Sequence, residues 1–184
     1  MRVIAGTLRG RQLRSIDSPG LRPTTDRVRE SIFNILNSRI TFGGLMVLDL
    51  FAGTGALGIE ALSRGAEHCD FVEMNGRAAS IIQQNLNELG LRDRGTVLQR
   101  DALRHVVGTE QSYDLVFADP PYAATIFDRL VHDLFALGRV RGGGLLVLEH
   151  SGFMQGRSTD VALLETTRHF GDTGVSIYRK KDHT

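Results

Sequence analysis

The sequence predicts a single α/β domain, residues 1–184, with a seven-stranded, mostly parallel sheet, one reversed strand and helices on both faces. From residue 45 onward, short apolar runs alternate with helical patterns, which is typical of parallel strands joined by crossover helices. The last two apolar runs, 161–170 and 175–179, are separated by four residues only. Because a parallel connection needs a dozen residues or more, this pair predicts an antiparallel hairpin that reverses one strand.

The other predicted elements follow one another along the chain without an internal repeat. Five strands are expected before the hairpin: Leu45–Leu50, Cys69–Glu73, Thr96–Arg100, Tyr113–Ala118 and Leu145–Glu149. Helices are expected between them: Leu57–Ser63, Gly76–Leu89, the short segment Ala102–Val107, and Ala124–Leu137. The helix over residues 76–89 repeats apolar residues at intervals of three and four, so one of its faces packs on the sheet.

Residues 1–39 are predicted to form a basic extension made of a small hairpin and a helix. Segments 3–8 and 11–13 flank a turn at Arg9-Gly10, and the helix runs from about Thr25 to Ser38. The extension holds eight arginines against three acidic residues, whereas the remaining chain is mildly acidic. Arginine binds phosphate bidentately and stacks on bases, so this asymmetry favours a nucleic-acid partner over a merely solvated surface. We expect the core to fold without residues 1–24.

Composition excludes several other classes of protein. No run of about 18 apolar residues is present, and the first residues lack the apolar core of a secretory signal, which predicts a cytoplasmic protein. The single cysteine, Cys69, excludes an intramolecular disulfide and argues against a zinc site built on cysteines. We therefore expect no metal, and we expect a monomer.

A glycine-rich loop follows the first predicted strand. Gly53, Gly55 and Gly58 have the spacing of a dinucleotide-binding loop, and Glu73 ends the next strand where a ribose-binding acid belongs. Taken alone, this pattern is compatible with a nicotinamide dinucleotide. Asp49 argues against that ligand, because it precedes the loop and would repel a pyrophosphate by roughly 1–4 kcal/mol per close charge pair.

Carboxylates at the ends of successive strands favour a cationic ligand instead. The carboxyl ends of parallel strands meet in one crevice, and the chain has acids at the ends of successive strands: Asp49, Glu73, Asp101 and Asp119. S-adenosylmethionine carries a sulfonium and an ammonium and has no phosphate, so an acidic crevice suits it.

Each residue around the loop then has an expected role. Gly53 and Gly55 let the backbone approach the ligand closely. Glu73 would accept from the ribose hydroxyls and Asp49 would face the methionine ammonium. Asp101 would accept from the adenine amino group, unless it only caps a helix. Further candidate cofactor contacts are Phe51, Ala102 and Thr24. Thr24 is expected at the start of a helix whose N-terminal N–H groups either face the methionine carboxylate or are only capped.

Asp119-Pro120-Pro121-Tyr122 follows the fourth strand and is the most specific feature of the chain. An exocyclic amine of a nucleobase is a poor nucleophile because its lone pair is delocalised into the ring, so methyl transfer needs acceptors that hold its N–H bonds. Asp119 provides a charged acceptor, and the Pro120 carbonyl provides a second one on a backbone that Pro120 and Pro121 restrict. Tyr122 offers a face for an extruded base, which contributes about 1–3 kcal/mol. The alternative is that the prolines only force a turn.

The loop and the tetrad resemble those of class I amino-methyltransferases, and the whole chain resembles the RsmD family of bacterial 16S rRNA guanine-N2 methyltransferases. The block over residues 22–36 is far more specific than the glycine loop. The other segments that carry the likeness are 2–6, 10–11, 49–58, 60–66, 119–122, 149–150 and 171–173. Met74-Asn75 departs from the pattern of the family, and residues 151–165 match nothing in it.

The resemblance implies a Rossmann-like class I methyltransferase fold, S-adenosylmethionine as cofactor and one guanine of small-subunit ribosomal RNA as substrate. It also implies that the extension binds RNA phosphates, for which the candidates are Arg2, Arg9, Arg11, Arg14 and Arg22. His150 is expected either to touch the base edge or to be structural.

Two other functions stay open at this point. A DNA adenine-N6 methyltransferase would share the loop and the tetrad, but no separate DNA-recognition domain is evident in the sequence. A non-catalytic RNA-binding module would share the fold, but it would be expected to have lost Asp119 or the glycines.

Overall fold

The computed structural model of the protein describes residues 1–15, 26–121, 124–154 and 156–181. Within these ranges one seven-stranded sheet is present, in the spatial order β3-β2-β1-β4-β5-β7-β6. The strands are β1 (Met46–Leu50), β2 (His68–Val72), β3 (Gly95–Leu98), β4 (Tyr113–Ala118), β5 (Val140–Ser151), β6 (Ala162–Phe170) and β7 (Thr173–Lys180). Strand β7 is antiparallel to both of its neighbours, and the other pairs are parallel. The predicted fold class is confirmed.

Helices cover both faces of the sheet. They are α1 (Asp26–Asn37), α2 (Ala56–Ser63), α3 (Gly76–Glu88), α4 (Ala102–Gly108) and α5 (Ala124–Ala136), with a 3-10 turn at Arg92–Arg94. The first three share one apolar cluster with β1, β2 and β4, whereas α4 and α5 pack in a second cluster on the opposite face. None of the helices among the described residues is long and apolar enough to cross a membrane.

Strand β5 is much longer than its predicted range, Leu145–Glu149. It begins at Val140, which pairs with Tyr113 of β4, and it ends at Ser151, which pairs with Thr173 of β7. Glycines 142–144 look like a loop in the sequence, but they lie inside the strand at a shift of the β4–β5 register. The turn before β7 shrinks to Gly171-Asp172, because Phe170 already pairs with Thr173.

The first fifteen residues form a turn but not the two predicted strands. One bridge joins Arg2 and Gln12, and the Val3 N–H donates to the Arg11 carbonyl at 2.9 Å. The Gly10 N–H also donates to the Val3 carbonyl at 2.9 Å and the Leu13 N–H to the Met1 carbonyl at 3.0 Å, so residues 1–3 and 10–13 pair over a short stretch. Beyond Val3 the pairing stops, because the N–H groups of Ile4 and Ala5 donate to the Glu60 carboxylate on α2 at 2.8 and 2.9 Å. We call residues 1–15 the arm.

The arm is part of the core. Val3 and Leu13 are 1% and 5% exposed and belong to the apolar cluster of α1 to α3. Ser63 of α2 accepts from the Leu8 N–H and donates to the Ala5 carbonyl. The expectation that the core folds without residues 1–24 does not fit this structure, because removing the arm would expose apolar side chains and leave the buried Glu60 carboxylate without two donors.

Gly58 lets α2 lie directly on β2, and this contact predicts a large effect of a single methyl group. A Cβ at Gly58 would lie 2.4 Å from Phe71 Cε1 and 2.6 Å from Cys69 Sγ. Gly58→Ala is therefore expected to lower the free energy of unfolding by about 1–3 kcal/mol in a denaturant titration. Gly108→Ala is the matched control: Gly108 is also helical but meets nothing within 4 Å, so alanine should stabilise by about 0.5–1 kcal/mol. Equal stability of the two variants would contradict this prediction.

Candidate active site

The glycine loop connects the end of β1 to the start of α2 through left-handed backbone. Gly53 and Gly55 have φ of 55° and 81°, and Phe51 at 57° is the single non-glycine residue with positive φ among the described residues. A Cβ on Gly53 would meet nothing within 4 Å, so the loop has an open side there. The predicted close approach of a ligand to this backbone is therefore sterically possible.

Asp49 lies beneath the loop and is 3% exposed. Its Oδ2 accepts from the Gly58 N–H at 2.9 Å, so the carboxylate binds the first turn of α2. The pKa of Asp49 is raised to about 8, mainly by burial; the negative charges of Asp119 and Glu73 add to this rise, and the Gly58 hydrogen bond opposes it. A bound cation would relieve this repulsion, and an added anion would increase it.

Glu73 follows β2 and holds the loop from the other side. Its Oε2 accepts from the Gly53 N–H at 2.8 Å, and its Oε1 accepts from the Asn75 N–H at 2.7 Å. Each carboxylate oxygen keeps a further lone pair for a ligand hydroxyl. The ribose role stays a prediction, and the structure adds a role that the sequence did not indicate, which is anchoring the Gly53 backbone.

Asp101 and Ala102 stand at the start of α4. The Asp101 carboxylate accepts from the Arg104 N–H at 2.8 Å, which makes it the N-cap of that helix. Ala102 is 4% exposed and packs in the apolar cluster of α4 and α5. The alternative expected for Asp101, helix capping, is thus present, and its contact with adenine stays a prediction.

Asp119 and Pro120 lie where β4 ends, directly beside the end of β1. Ala118 pairs with Leu50, and the Asp119 N–H donates to the Leu50 carbonyl at 3.4 Å. Burial raises the pKa of Asp119 to about 6, so the carboxyl is mostly ionised at neutral pH. Pro120 is buried and Pro121 is exposed.

Asp49, Glu73 and Asp119 lie together at the carboxyl edge of the sheet, where the charges of Glu73 and Asp119 act on Asp49. Asp101 follows β3, which is parallel to β2 and ends at the same edge. Three predicted site residues lie outside the described residues: Tyr122, Thr24 and Arg22. The residues present fit S-adenosylmethionine, since an open glycine loop is bordered by three acids, and the charges of Glu73 and Asp119 raise the pKa of Asp49, an effect that a bound cation would oppose. Among the described residues no group of three His, Cys, Asp or Glu side chains could hold a metal ion.

The predicted RNA-binding arginines of the arm differ in their surroundings. Arg2 and Arg9 are exposed. Arg11 donates to the Glu88 carbonyl at 2.9 Å, and Arg14 Nε donates to the Glu88 carboxylate at 2.7 Å, so both reach the end of α3. Arg9, at the tip of the turn, is the best placed of these to contact a polyanion.

His150 has a structural environment. It is 2% exposed, its Nε2 is 2.8 Å from Ser176 Oγ, and its Nδ1 is 2.8 Å from the Ser151 carbonyl. Its ring packs edge-on against Phe127 at 5.5 Å. Burial lowers the pKa of His150, which keeps the ring neutral. Of its two expected roles, the structural one accounts for every one of these contacts.

Sequence reasoning missed the buried polar residues that attach the arm: Arg29, Glu60, Ser63 and Asn85. Arg29 of α1 is fully buried and donates to the Arg2 carbonyl. Burial lowers its pKa, while Asp26 and Glu60 raise it. A signal did exist for Asn85, because it interrupts the apolar face of its helix between Ile82 and Leu89.

The chain matches known proteins over nearly its whole length. A family model described as Conserved hypothetical protein 95 matches residues 1–179. YlbH of Bacillus subtilis, provisionally named an rRNA methyltransferase, is 39% identical over 98% of this chain and 100% of its own. The ribosomal RNA small subunit methyltransferase D of Escherichia coli is 40% identical over 81% of this chain and 74% of its own.

Solved structures agree with these relatives. The structure of yhhF from Escherichia coli, provisionally named a methyltransferase, has a TM-score of 0.87 at 32% identity and covers 98% of both chains. A protein of Thermus thermophilus without an assigned function, TTHA0928, has a TM-score of 0.82 at 28% identity. The chain therefore belongs to the Conserved hypothetical protein 95 family, the RsmD family of S-adenosylmethionine-dependent methyltransferases.

Proposed function

We propose that this protein transfers the methyl group of S-adenosylmethionine to the exocyclic N2 amine of one guanine in 16S ribosomal RNA. It acts on the small ribosomal subunit as a cytoplasmic monomer. The observation that carries the proposal is the position of Asp119 and Pro120, directly beside the strand that leads into the glycine loop. An amine held by this corner would lie next to a cofactor held by the loop.

The chain supplies positioning and electrostatics to the reaction. When bound, the cofactor supplies an electrophilic methyl group on a sulfonium. Asp119 and the Pro120 carbonyl would each accept one N–H of the amine and turn its lone pair towards that methyl group. With a pKa of about 6, Asp119 is ionised at neutral pH and can also accept the proton that the methylated nitrogen releases.

Two observations support ribosomal RNA as the substrate. The relatives of this chain include ribosomal RNA small subunit methyltransferases D at 35–40% identity over 81% of the chain. The arm also presents exposed arginines, Arg2 and Arg9, on a body that is otherwise mildly acidic. RNA phosphates are the ligands that such a surface favours.

The test is methylation of small ribosomal subunits isolated from a strain that lacks the protein. With labelled S-adenosylmethionine, we expect label in 16S RNA, and mass spectrometry of the digested nucleosides should identify N2-methylguanosine. Free duplex DNA with adenine targets is the comparison substrate. Label in N6-methyladenine of DNA would replace the proposal with a DNA methyltransferase, and RNA binding without any turnover would leave a non-catalytic module.

Arg9 gives a specific prediction for RNA binding. Arg9→Ala should weaken binding to small subunits and reduce the slope of log affinity against log salt by about one, because each phosphate contact contributes about one unit. Binding should be measured across a salt series. Arg129→Ala, on α5 at the opposite face, is the control, since its side chain is 63% exposed but lies away from the arm. An unchanged slope for Arg9→Ala would mean that Arg9 only solvates the surface.

A further inference from the structure

Asn85 of α3 is a buried amide that none of the roles above uses. It is 1% exposed, although its neighbours on the same helix face are apolar. Its Oδ1 accepts from the Arg14 N–H at 2.8 Å. Its Nδ2 donates to two carbonyls, that of Arg14 at 3.2 Å and that of Thr54 at 3.1 Å. One side chain thus joins the end of the arm to the middle of the glycine loop.

The geometry requires an amide of this length at this position. A flipped amide would place its oxygen against two carbonyls and its NH2 against the Arg14 N–H, so one orientation satisfies all three contacts. Aspartate would lose both donors, and leucine would lose every hydrogen bond while keeping the branching of the amide. Because the site is buried, a missing partner costs more than an exposed hydrogen bond would.

Thr54 lies between the two glycines that have left-handed backbone, so its carbonyl sets the shape of the loop. On one side of it, the Gly53 N–H is held by Glu73 at 2.8 Å. On the other side, Gly55 packs against Ile82, one turn before Asn85 on α3. Without Asn85, the Thr54 peptide would lose the hydrogen bond that fixes it from below.

We infer that Asn85 is a positioning residue that fixes the glycine loop for S-adenosylmethionine and couples this loop to the RNA-binding arm. The coupling rests on the function proposed above. Arg14 is held to α3 twice, by its backbone at Asn85 and by its side chain at Glu88, so RNA bound to the arm would stabilise the same contacts that hold the loop. Contacts that one ligand stabilises also favour the loop conformation that the other ligand needs, so each ligand should raise the affinity for the other.

The first measurement is cofactor binding to the intact protein without RNA. Asn85→Ala and Asn85→Leu should each weaken S-adenosylmethionine binding by about five- to tenfold in calorimetry, the range expected for one lost hydrogen bond. KM for the cofactor should rise by a similar factor, and kcat at saturating cofactor should change by less than about twofold. Leucine fills the space of the amide, so this variant reports on the hydrogen bonds if alanine fails to fold.

Two variants on the same helix separate positioning from a general loss of stability. Leu86→Ala removes a fully buried neighbour and should lower Tm while leaving cofactor affinity unchanged. Asn87→Ala changes an exposed asparagine and should alter neither quantity. If Leu86→Ala loses as much cofactor affinity as the Asn85 variants do for the same fall in Tm, the positioning role is wrong.

The second measurement is the coupling itself. Affinity for S-adenosylhomocysteine is compared with and without small ribosomal subunits from a strain lacking the protein. In the wild type the subunits should raise this affinity by about fivefold or more, and in Asn85→Leu this gain should disappear. Wild-type protein that binds no subunits would contradict the proposed function. Wild-type protein that binds both ligands independently would contradict this inference and leave the proposed function intact.

Discussion

Replacing Asp119 with alanine is expected to lower turnover by at least about 10², while the affinity for S-adenosylmethionine stays within about tenfold. Asp119 is the charged acceptor at the β4 corner, so its loss should affect the held amine more than the cofactor. The charge of Asp119 raises the pKa of Asp49, so Asp49 ionises more readily once that charge is removed. An ionised Asp49 attracts the cationic cofactor and so limits the loss of cofactor affinity. Single-turnover rates and calorimetry measure the two quantities.

Asparagine at position 119 separates charge from geometry. Asp119→Asn keeps an acceptor oxygen in place, so it should retain more activity than alanine. Because burial raises the pKa of Asp119 to about 6, wild-type turnover should fall about tenfold for each pH unit below 6 as the carboxyl becomes protonated. The asparagine variant should show no such decline. Asp128→Ala, at an exposed position of α5, is the control. Normal turnover in Asp119→Ala would refute the proposed mechanism.

Replacing Glu73 with alanine is expected to weaken cofactor affinity by roughly 1.5–3 kcal/mol, with turnover at saturating cofactor much less affected. Two losses combine in this variant: a charged acceptor for the ribose hydroxyls, and the hydrogen bond that holds the Gly53 N–H. Calorimetry with S-adenosylmethionine measures the total effect. Glu67→Ala, an exposed change just before the same strand, should leave binding unchanged.

A double comparison separates the two losses. An S-adenosylhomocysteine analogue without ribose hydroxyls should bind the wild type more weakly than the parent compound does. In Glu73→Ala the two compounds should bind equally, since the acceptor is missing. If wild type and variant discriminate between them equally, Glu73 acts only through the loop and the ribose assignment is wrong.

Periodicity predicted the elements of the sheet well because each strand and helix is an apolar pattern of its own period. The range predicted for β4, Tyr113–Ala118, is the range in the structure. Strand β5 was predicted too short, because the glycines at 142–144 resemble a loop and their pairing with β4 involves residues far away in the chain. Local pattern cannot report such long-range pairing.

The arm shows that the sequence is equally limited in predicting long-range contacts near the candidate site. Its charge was evident from composition, but its attachment was not, because Glu60, Ser63 and Asn85 look like ordinary polar positions on helices. They are buried only because a segment more than fifty residues earlier packs across them. The sequence alone likewise left two roles for Asp101, a contact with the cofactor or the cap of a helix. The hydrogen bond that Asp101 accepts from the Arg104 N–H shows that it caps α4.

The sequence by itself determined the order of strands and helices along the chain, the one reversed strand, the glycine loop and the four acids at the ends of the strands. These features depend on the period of apolar residues and on the types of a few local residues. Only the tertiary structure decided how far Asp49 is buried beneath the loop, which charges act on it, and that the arm is joined to that loop through Asn85. The physical reason is that burial and hydrogen-bond partners depend on which distant segments meet, and these also set the pKa values of Asp49 and Asp119.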